Sequence, residues 1–265
     1  MARPTLEELR NEYNSLLQTC EIRPNKLTEV QDICDTILNN KARYEKIATA
    51  SGVPWFMIAA IHSLEGSLNF NTHLHNGDPL KARTVNVPAG RPKEGSPPFT
   101  FEESAIDALA FDKVAVNLEP TFAGICFKLE GFNGFGSRNQ GIHTPYLWSF
   151  SNHYTTGKFV RDGVFDPNAV SKQCGAAVIL RRLLEMNAIE FDEVKQPELK
   201  DDPGIVFSNK KSSDPAMVER VKNFQRMLNT QPGIFLIPDG APGEHTSDAV
   251  LQVFGHRLNG DPRGK

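Results

Sequence analysis

The stretch from Val53 to Gly66 constrains this chain more than any other. Val53, Phe56, Met57, Ala60, Ile61 and Leu64 recur at the spacing of an α-helix with one buried face. Glu65 follows directly on that face, and Gly66 supplies a helix stop. A carboxyl group there has two reasons to hold its proton. The helix dipole is negative at that end, and half-apolar surroundings disfavour the charged form. A carboxyl that keeps its proton near neutral pH is what a general acid requires. A solvated surface charge is the plainer reading of a Glu near a helix end. What weighs toward chemistry is the polar, glycine-containing segment that follows, which carries His73, His75, Asp78 and Thr84.

A chain of 265 residues has room for one large domain or two smaller ones. At 39% hydrophobic and 23% charged residues it has the composition of a soluble globular protein. A net charge of -3 argues against a general nucleic-acid binder. The cysteines, Cys20, Cys34, Cys126 and Cys174, lack C-x-x-C spacing, which argues against zinc. Cys20 and Cys34 could pair only on antiparallel neighbouring helices; buried thiols are expected at all four positions. His62, His73 and His75 surround Glu65 without a His-Glu-x-x-His pattern, so neither a metal nor any other cofactor is expected. The N-terminus carries no apolar run of a classical signal peptide, and no stretch is long and apolar enough to cross a membrane. The expectation is synthesis in the cytoplasm and no membrane insertion, with delivery to any external target by another route.

Taken in order, Thr5 to Leu17 predicts a helix opened by a Thr5/Glu8 capping box. Leu27–Leu38 and Ala42–Ala50 predict two more. Beyond Glu65, Leu80–Val87 predicts a short strand pair, and Pro88–Pro98 an exposed loop. Thr100 and Glu103 form a second capping box, opening a helix expected to reach about Val116. Asp107 and Asp112 read as solvated charges on it, and Glu130 as a surface charge. Thr121–Leu129 predicts another helix. Asp166-Pro167 predicts the start of a long buried helix, with Asp as N-cap and Pro at the first position, ending near Asn187.

Residues 130 to 154 are the second informative stretch. Phe132, Phe135, Tyr146, Trp148, Phe150 and Tyr154 alternate there with Asn133, Arg138, Asn139, Gln140, His143 and Asn152. Aromatic faces with amide and hydroxyl neighbours suit a sugar, which offers apolar C–H faces and a rim of hydroxyls. Core packing is the competing role for Phe132, Trp148 and Phe150.

Residues 189–213 are charged and proline-containing and read as a linker. Residues 214–265 then form a small unit of two amphipathic stretches around a turn-rich segment, with Thr246 as N-cap of the last helix. Val221, Phe224, Gln225, Leu228 and Asn229, followed by Asp239-Gly240, Gly243, Thr246, Ala249, Val250 and Phe254, resemble a peptidoglycan-binding domain of the three-helix kind. Gly255 and Pro242 depart from that pattern.

The apolar helix ending at Glu65, with Ser67, Phe70, Asn133-Gly134 and Tyr146, is similar to the lysozyme-like superfamily of goose-type and phage-type lysozymes and lytic transglycosylases. Asp78 and Thr84 repeat the Asp-to-Thr spacing of the phage-type members, whereas Gly66 stands where goose-type members carry Ser. The resemblance implies a mainly α, α+β lysozyme-like catalytic domain over 1–188, with a small β-hairpin region, and a small three-helix wall-binding domain over 214–265. It implies cleavage of the β-1,4 bond between N-acetylmuramic acid and N-acetylglucosamine. Glu65 would be the acid, Asp78 and Thr84 would position water, and Ser67, His75, Asn133, Tyr146 and Tyr154 would contact the glycan. A transglycosylase using Glu65 alone, a chitosanase or chitinase, and a wall-binding protein without activity are the alternatives. The expected partners are peptidoglycan strands and an immunity or inhibitor protein, acting on a monomer.

Overall fold

The computed structural model describes residues 3–161, 163–191, 199–229, 231, 234 and 236–264. It is mainly α, with eleven α-helices and one two-stranded antiparallel sheet among the described residues. Among the described residues, no single helix is long and apolar enough to cross a membrane. The chain divides into two compact units, Met1–Arg182 and Leu183–Lys265.

In the first unit, α1 (Leu6–Gln18) opens with the Thr5/Glu8 capping box that its sequence predicts. It buries Leu9, Tyr13 and Leu17 and packs against α6 (Phe122–Asn133). The helices α2 (Leu27–Asn39) and α3 (Lys41–Ser51) follow, and α3 packs against both α4 (Trp55–Gly66) and α5 (Phe101–Phe111). Burial on α4 is not confined to one face. Every residue from Met57 to His62, and Leu64, is buried, so this helix is enclosed nearly all round. The Thr100/Glu103 capping box opens α5 as expected, but the helix stops at Phe111, short of Val116. All four cysteines are buried thiols.

Glu130 is not a surface charge. Only 1% of it is exposed, on α6, where the Tyr13 hydroxyl donates to it at 2.7 Å. Two Arg138 nitrogens from α7 (Gly136–Asn139) each donate to it at 2.8 Å, and Arg138 also reaches Glu12 at 2.8 Å. A carboxylate can be taken from water when charge-assisted bonds replace its hydration, and here a bidentate guanidinium does so. Burial, reinforced by the adjacent carboxylate, pushes the Tyr13 hydroxyl pKa well up, which keeps it a donor.

Two local expectations give way. Residues 80–87 form no strand. The nearest pairing is an isolated bridge between Thr72 and Pro79, and the segment is a loop held by side chains. Asp166 does not start a helix. It ends β2 (Val164–Asp166), which pairs antiparallel with β1 (Lys158–Arg161). Its Oδ1 accepts the amides of Asn168 and Ala169 at 2.8 and 3.2 Å, cap-like bonds that close a turn without propagating. The helix α9 (Ala176–Glu185) begins only after Gly175, whose backbone passes so close to α8 (Pro145–Trp148) that a Cβ would lie 2.2 Å from the Leu147 carbonyl oxygen. The division between units falls inside α9.

The second unit begins before residue 214. Ile205, assigned by sequence to a linker, is buried in one core with Val221, Phe224, Leu228 and Val250. Val206 bridges Asn259, and Ser208 donates its amide to the Pro242 carbonyl at 3.0 Å. Part of the expected linker, 192–198, lies outside the described residues. Two helices, α10 (Pro215–Leu228) and α11 (Glu244–Phe254), lie wholly within this unit among the described residues, where a three-helix domain was expected. Gly243, not Thr246, is the N-cap of α11. Thr246 is buried one turn in, taking a hydrogen bond from Gln225 at 3.0 Å. The same Gln225 accepts the Gly240 amide at 2.9 Å, and the Asn229 side chain bonds both the amide and the carbonyl of Leu236, at 2.6 and 2.8 Å. These two amides do for the turn-rich segment what a β-strand would otherwise do.

Removing one partner of the buried ion pair should be costly. Glu130→Ala is expected to lower the unfolding free energy by about 1–3 kcal/mol, because it leaves the buried Tyr13 hydroxyl without its acceptor and the half-buried Arg138 guanidinium with only its bonds to Glu12. Urea denaturation of the two proteins at neutral pH measures it, and an unchanged midpoint would contradict the analysis.

Candidate active site

The enclosure of α4 decides where its carboxylate can go. Seven of its residues are buried, so Glu65 reaches solvent at the last turn. Ser67 and Leu68 then take φ of 48° and 57°, and both amides return to the His62 carbonyl, so the chain turns sharply away. Gly66 has a steric reason: a Cβ there would meet the His62 ring at 2.8 Å. Glu65 is exposed rather than half-buried. Its Oε1 accepts the Tyr146 hydroxyl at 2.9 Å. Tyr146 is set by α8, where Pro145 begins the helix and the Thr144 hydroxyl accepts the Tyr146 amide. Burial, then the charge of Glu65, raises the Tyr146 pKa well above its usual value, so the phenol remains a donor.

Glu65 and Tyr146 line a cleft of about 240 Å³. Its apolar wall is Ile61, Leu74, Ala108, Leu109, Val114 and Phe132; its other polar residues are His75 and Asp112. His75 bonds Asp107 at 2.8 Å, and Asp107 also takes Arg91 at 3.0 Å. Burial lowers the His75 pKa against the pull of Asp107, which favours the neutral ring. Behind it, His73 bonds Ser104 and the Ala82 carbonyl, both at 2.8 Å. This series of polar contacts fastens the segment after α4 to α5.

Asp112, the C-cap of α5, is the cleft carboxylate that sequence reading took for a solvated charge. The residue is exposed at the rim, yet partial desolvation of its carboxyl raises its pKa, against His75 and Arg91, which lower it. The sequence carried no signal for it, because the helix was expected to run to about Val116 and Asp112 lay inside that span.

The other sequence candidates are placed elsewhere. Asp78 and Thr84 do not line this cleft. Asp78 Oδ2 accepts the amides of Val85 and Asn86 at 2.8 and 2.9 Å and the Asn76 side chain at 3.1 Å, and its Oδ1 takes Asn86 Nδ2 at 2.6 Å. Those bonds, the Asn86 amide foremost, hold its pKa below the usual carboxylate range. The Thr84 hydroxyl donates to the Pro88 carbonyl and accepts the Arg91 amide at 2.9 Å. Both side chains thus bond within and around the 84–91 loop and help set its shape. Ser67 is the C-cap of α4. Asn133 bonds Thr144 at 3.2 Å, and the Tyr154 hydroxyl is held by the Ser171 amide at 3.1 Å; neither residue lines the cleft.

His62 lies beneath Glu65 on α4, 1% exposed, between the rings of Phe70 and Phe101 at 4.7 and 4.2 Å. Its Nδ1 bonds the Tyr44 hydroxyl at 2.9 Å, and its Nε2 has no hydrogen-bond partner among the described residues. Burial brings its pKa down to about 4. Among the described residues, no group of three or more His, Cys, Asp and Glu side chains is placed to hold a metal ion.

No family model matches this chain, and no curated protein or solved structure matches it either.

Two outcomes follow from these geometries. Asp78→Ala should speed hydrogen exchange at the amides of Val85 and Asn86 while leaving the helical amides protected; equal protection in both proteins would deny Asp78 its loop role. Stability should also fall with acid. The unfolded chain takes up a proton on His62 near its ordinary value of 6.5, whereas the folded chain resists until about 4. The stability present above pH 6.5 is therefore lost between those limits, by roughly 3 kcal/mol, with His75 and His153, also depressed by burial, acting in the same direction. Urea midpoints across pH 4 to 7 measure the slope, and His62→Phe should flatten it.

Proposed function

We propose that this chain cleaves the β-1,4 bond between N-acetylmuramic acid and N-acetylglucosamine in peptidoglycan strands, with Glu65 as the proton donor on a lysozyme-like first unit. The observation that carries the reading is that Glu65, alone among the three residues expected to do chemistry, lines the cleft, at the exit of a buried helix and hydrogen-bonded to Tyr146. The apolar wall, Phe132 included, suits the C–H face of a sugar ring, and His75, Asp112 and Tyr146 offer polar edges to its hydroxyls. Glycoside cleavage needs a group that protonates the departing oxygen as positive charge builds at C1. Tyr146 occupies Oε1 of Glu65, which leaves Oε2 uncommitted among the described residues for that task.

The second unit supports the choice of peptidoglycan over chitin. Its resemblance to a wall-binding domain rests on Gln225, Asn229, Asp239-Gly240 and Thr246. Gln225, Asn229, Gly240 and Thr246 build the buried polar bonds that shape its turn-rich segment, and Asp239 joins them by accepting Gln225 Nε2 at 3.0 Å. Binding of the wall through this unit would keep the first unit near its substrate.

Purified peptidoglycan incubated with the protein should release muropeptides detectable by mass spectrometry. Glu65→Gln should lower the release roughly 100- to 10,000-fold, the usual worth of a general acid, with wall binding retained. Retained wall binding with no release by either protein would leave a binding protein as the better account.

A further inference from the structure

The cleft holds one more group than a single-carboxylate mechanism uses. Two acidic residues line it, Glu65 and Asp112, whereas three other acids of the same unit are spent on architecture. Asp78 has four hydrogen bonds inside its loop, Asp107 is held by His75 and Arg91, and Glu130 is held by Tyr13 and Arg138. Asp112 differs. It lines the same cleft as Glu65, and its carboxyl has no hydrogen bond or ion pair among the described residues. Its backbone amide closes α5 on the Ala108 carbonyl, so the position is fixed while the side chain stays uncommitted. Exposed at the rim and next to the apolar wall, with no protein group among the described residues holding its oxygens, this carboxylate has capacity to spare for a water or a ligand in the cleft.

We infer that Asp112 is the second catalytic carboxylate of this cleft, the base that activates the water attacking C1, so that the reaction is an inverting hydrolysis. The inference rests on the reading of Glu65 as the acid. The Glu65 carboxyl gives its proton to the bridging oxygen as the C1–O bond breaks. The oxygen of one water bonds to C1, and the Asp112 carboxylate takes that water's proton. Exchange with solvent restores both groups, and no redox partner is needed. The two roles need a water between base and sugar, and a cleft of about 240 Å³ has room for several waters. Partial desolvation, which makes Asp112 a stronger base than an ordinary surface Asp, fits this role.

The test uses the full chain, purified peptidoglycan and mass spectrometry of the products, with Asp112→Asn and Asp112→Ala, each with and without sodium azide. The wild type should release reducing-end muropeptides. Asp112→Asn should lose that release by roughly 100-fold or more without loss of thermal stability. Asp112→Ala with azide should yield a glycosyl azide of inverted, α configuration, which a merely structural residue would not give. Asp112→Asn turning over at the wild-type rate overturns the inference, as does a loss that azide does not rescue. Wild-type release of anhydro ends that depends on Glu65 also overturns it, while sparing the reading of Glu65. No product from the wild type, or product that survives Glu65→Gln, overturns that reading and the inference with it.

Discussion

A helix enclosed on nearly every side can place a carboxylate only at its end, and α4 is such a helix. Its interior residues are apolar except His62 and Ser63, and a charge anywhere along the buried run would have to be paired or neutralised. The walls that enclose it, α3 along its side and Phe101 of α5 against His62, therefore determine both the core and the position of Glu65. The left-handed turn at Ser67 and Leu68 completes the arrangement, because it takes the following chain away from the exit and leaves the last turn open. The cleft is a by-product of that geometry: Ile61 comes from the same helix, and Ala108 and Leu109 come from the last turn of the neighbouring α5.

Polar groups in the first unit divide into those whose bonds are spent within the fold and those with capacity left. Glu130, Asp78, Thr84 and His73 belong to the first kind, and each joins segments that the core alone would not fix. The loop from Thr84 to Arg91 shows how far this goes. It has no regular structure, yet its shape is specified by one carboxylate, one hydroxyl and the Asn76 side chain, which reaches the Asn86 carbonyl at 2.9 Å. Glu65 and Asp112 belong to the second kind, and both are at helix C-termini facing the same apolar wall.

What was legible in the sequence was local. The boxes at Thr5/Glu8 and Thr100/Glu103 are three-residue relations between a hydroxyl and a carboxylate, and both formed as read. The apolar helix and its exit at Glu65 were legible for the same reason. What was not legible depends on partners distant in the chain. Glu130 looks like a surface charge until Tyr13 is brought to it across 117 residues. Asp166-Pro167 carries the letters of a helix start, but pairing of Phe159 with Phe165 claims the segment for a hairpin. Thr246 and Ile205 were misjudged likewise, because Gln225 and the core of the second unit, not their neighbours in sequence, decide where they lie.

The spacing between Asp78 and Thr84 shows why a pattern of residue types does not fix a role. Acid and hydroxyl six positions apart can hold a water over a sugar, or they can hold a loop, and the two uses compete for the same lone pairs. With four bonds already on Asp78, a catalytic water would have to displace or share one of them, and the amides of Val85 and Asn86 would lose part of their charge-assisted partner. Asp112 carries no such debt. Its backbone does the structural task of ending α5 through the bond to Ala108, so its carboxyl is at liberty. A helix end separates the two duties in a way a tight loop cannot, and that separation leaves the side chains of Glu65 and Asp112 in the cleft while backbone bonds end their helices.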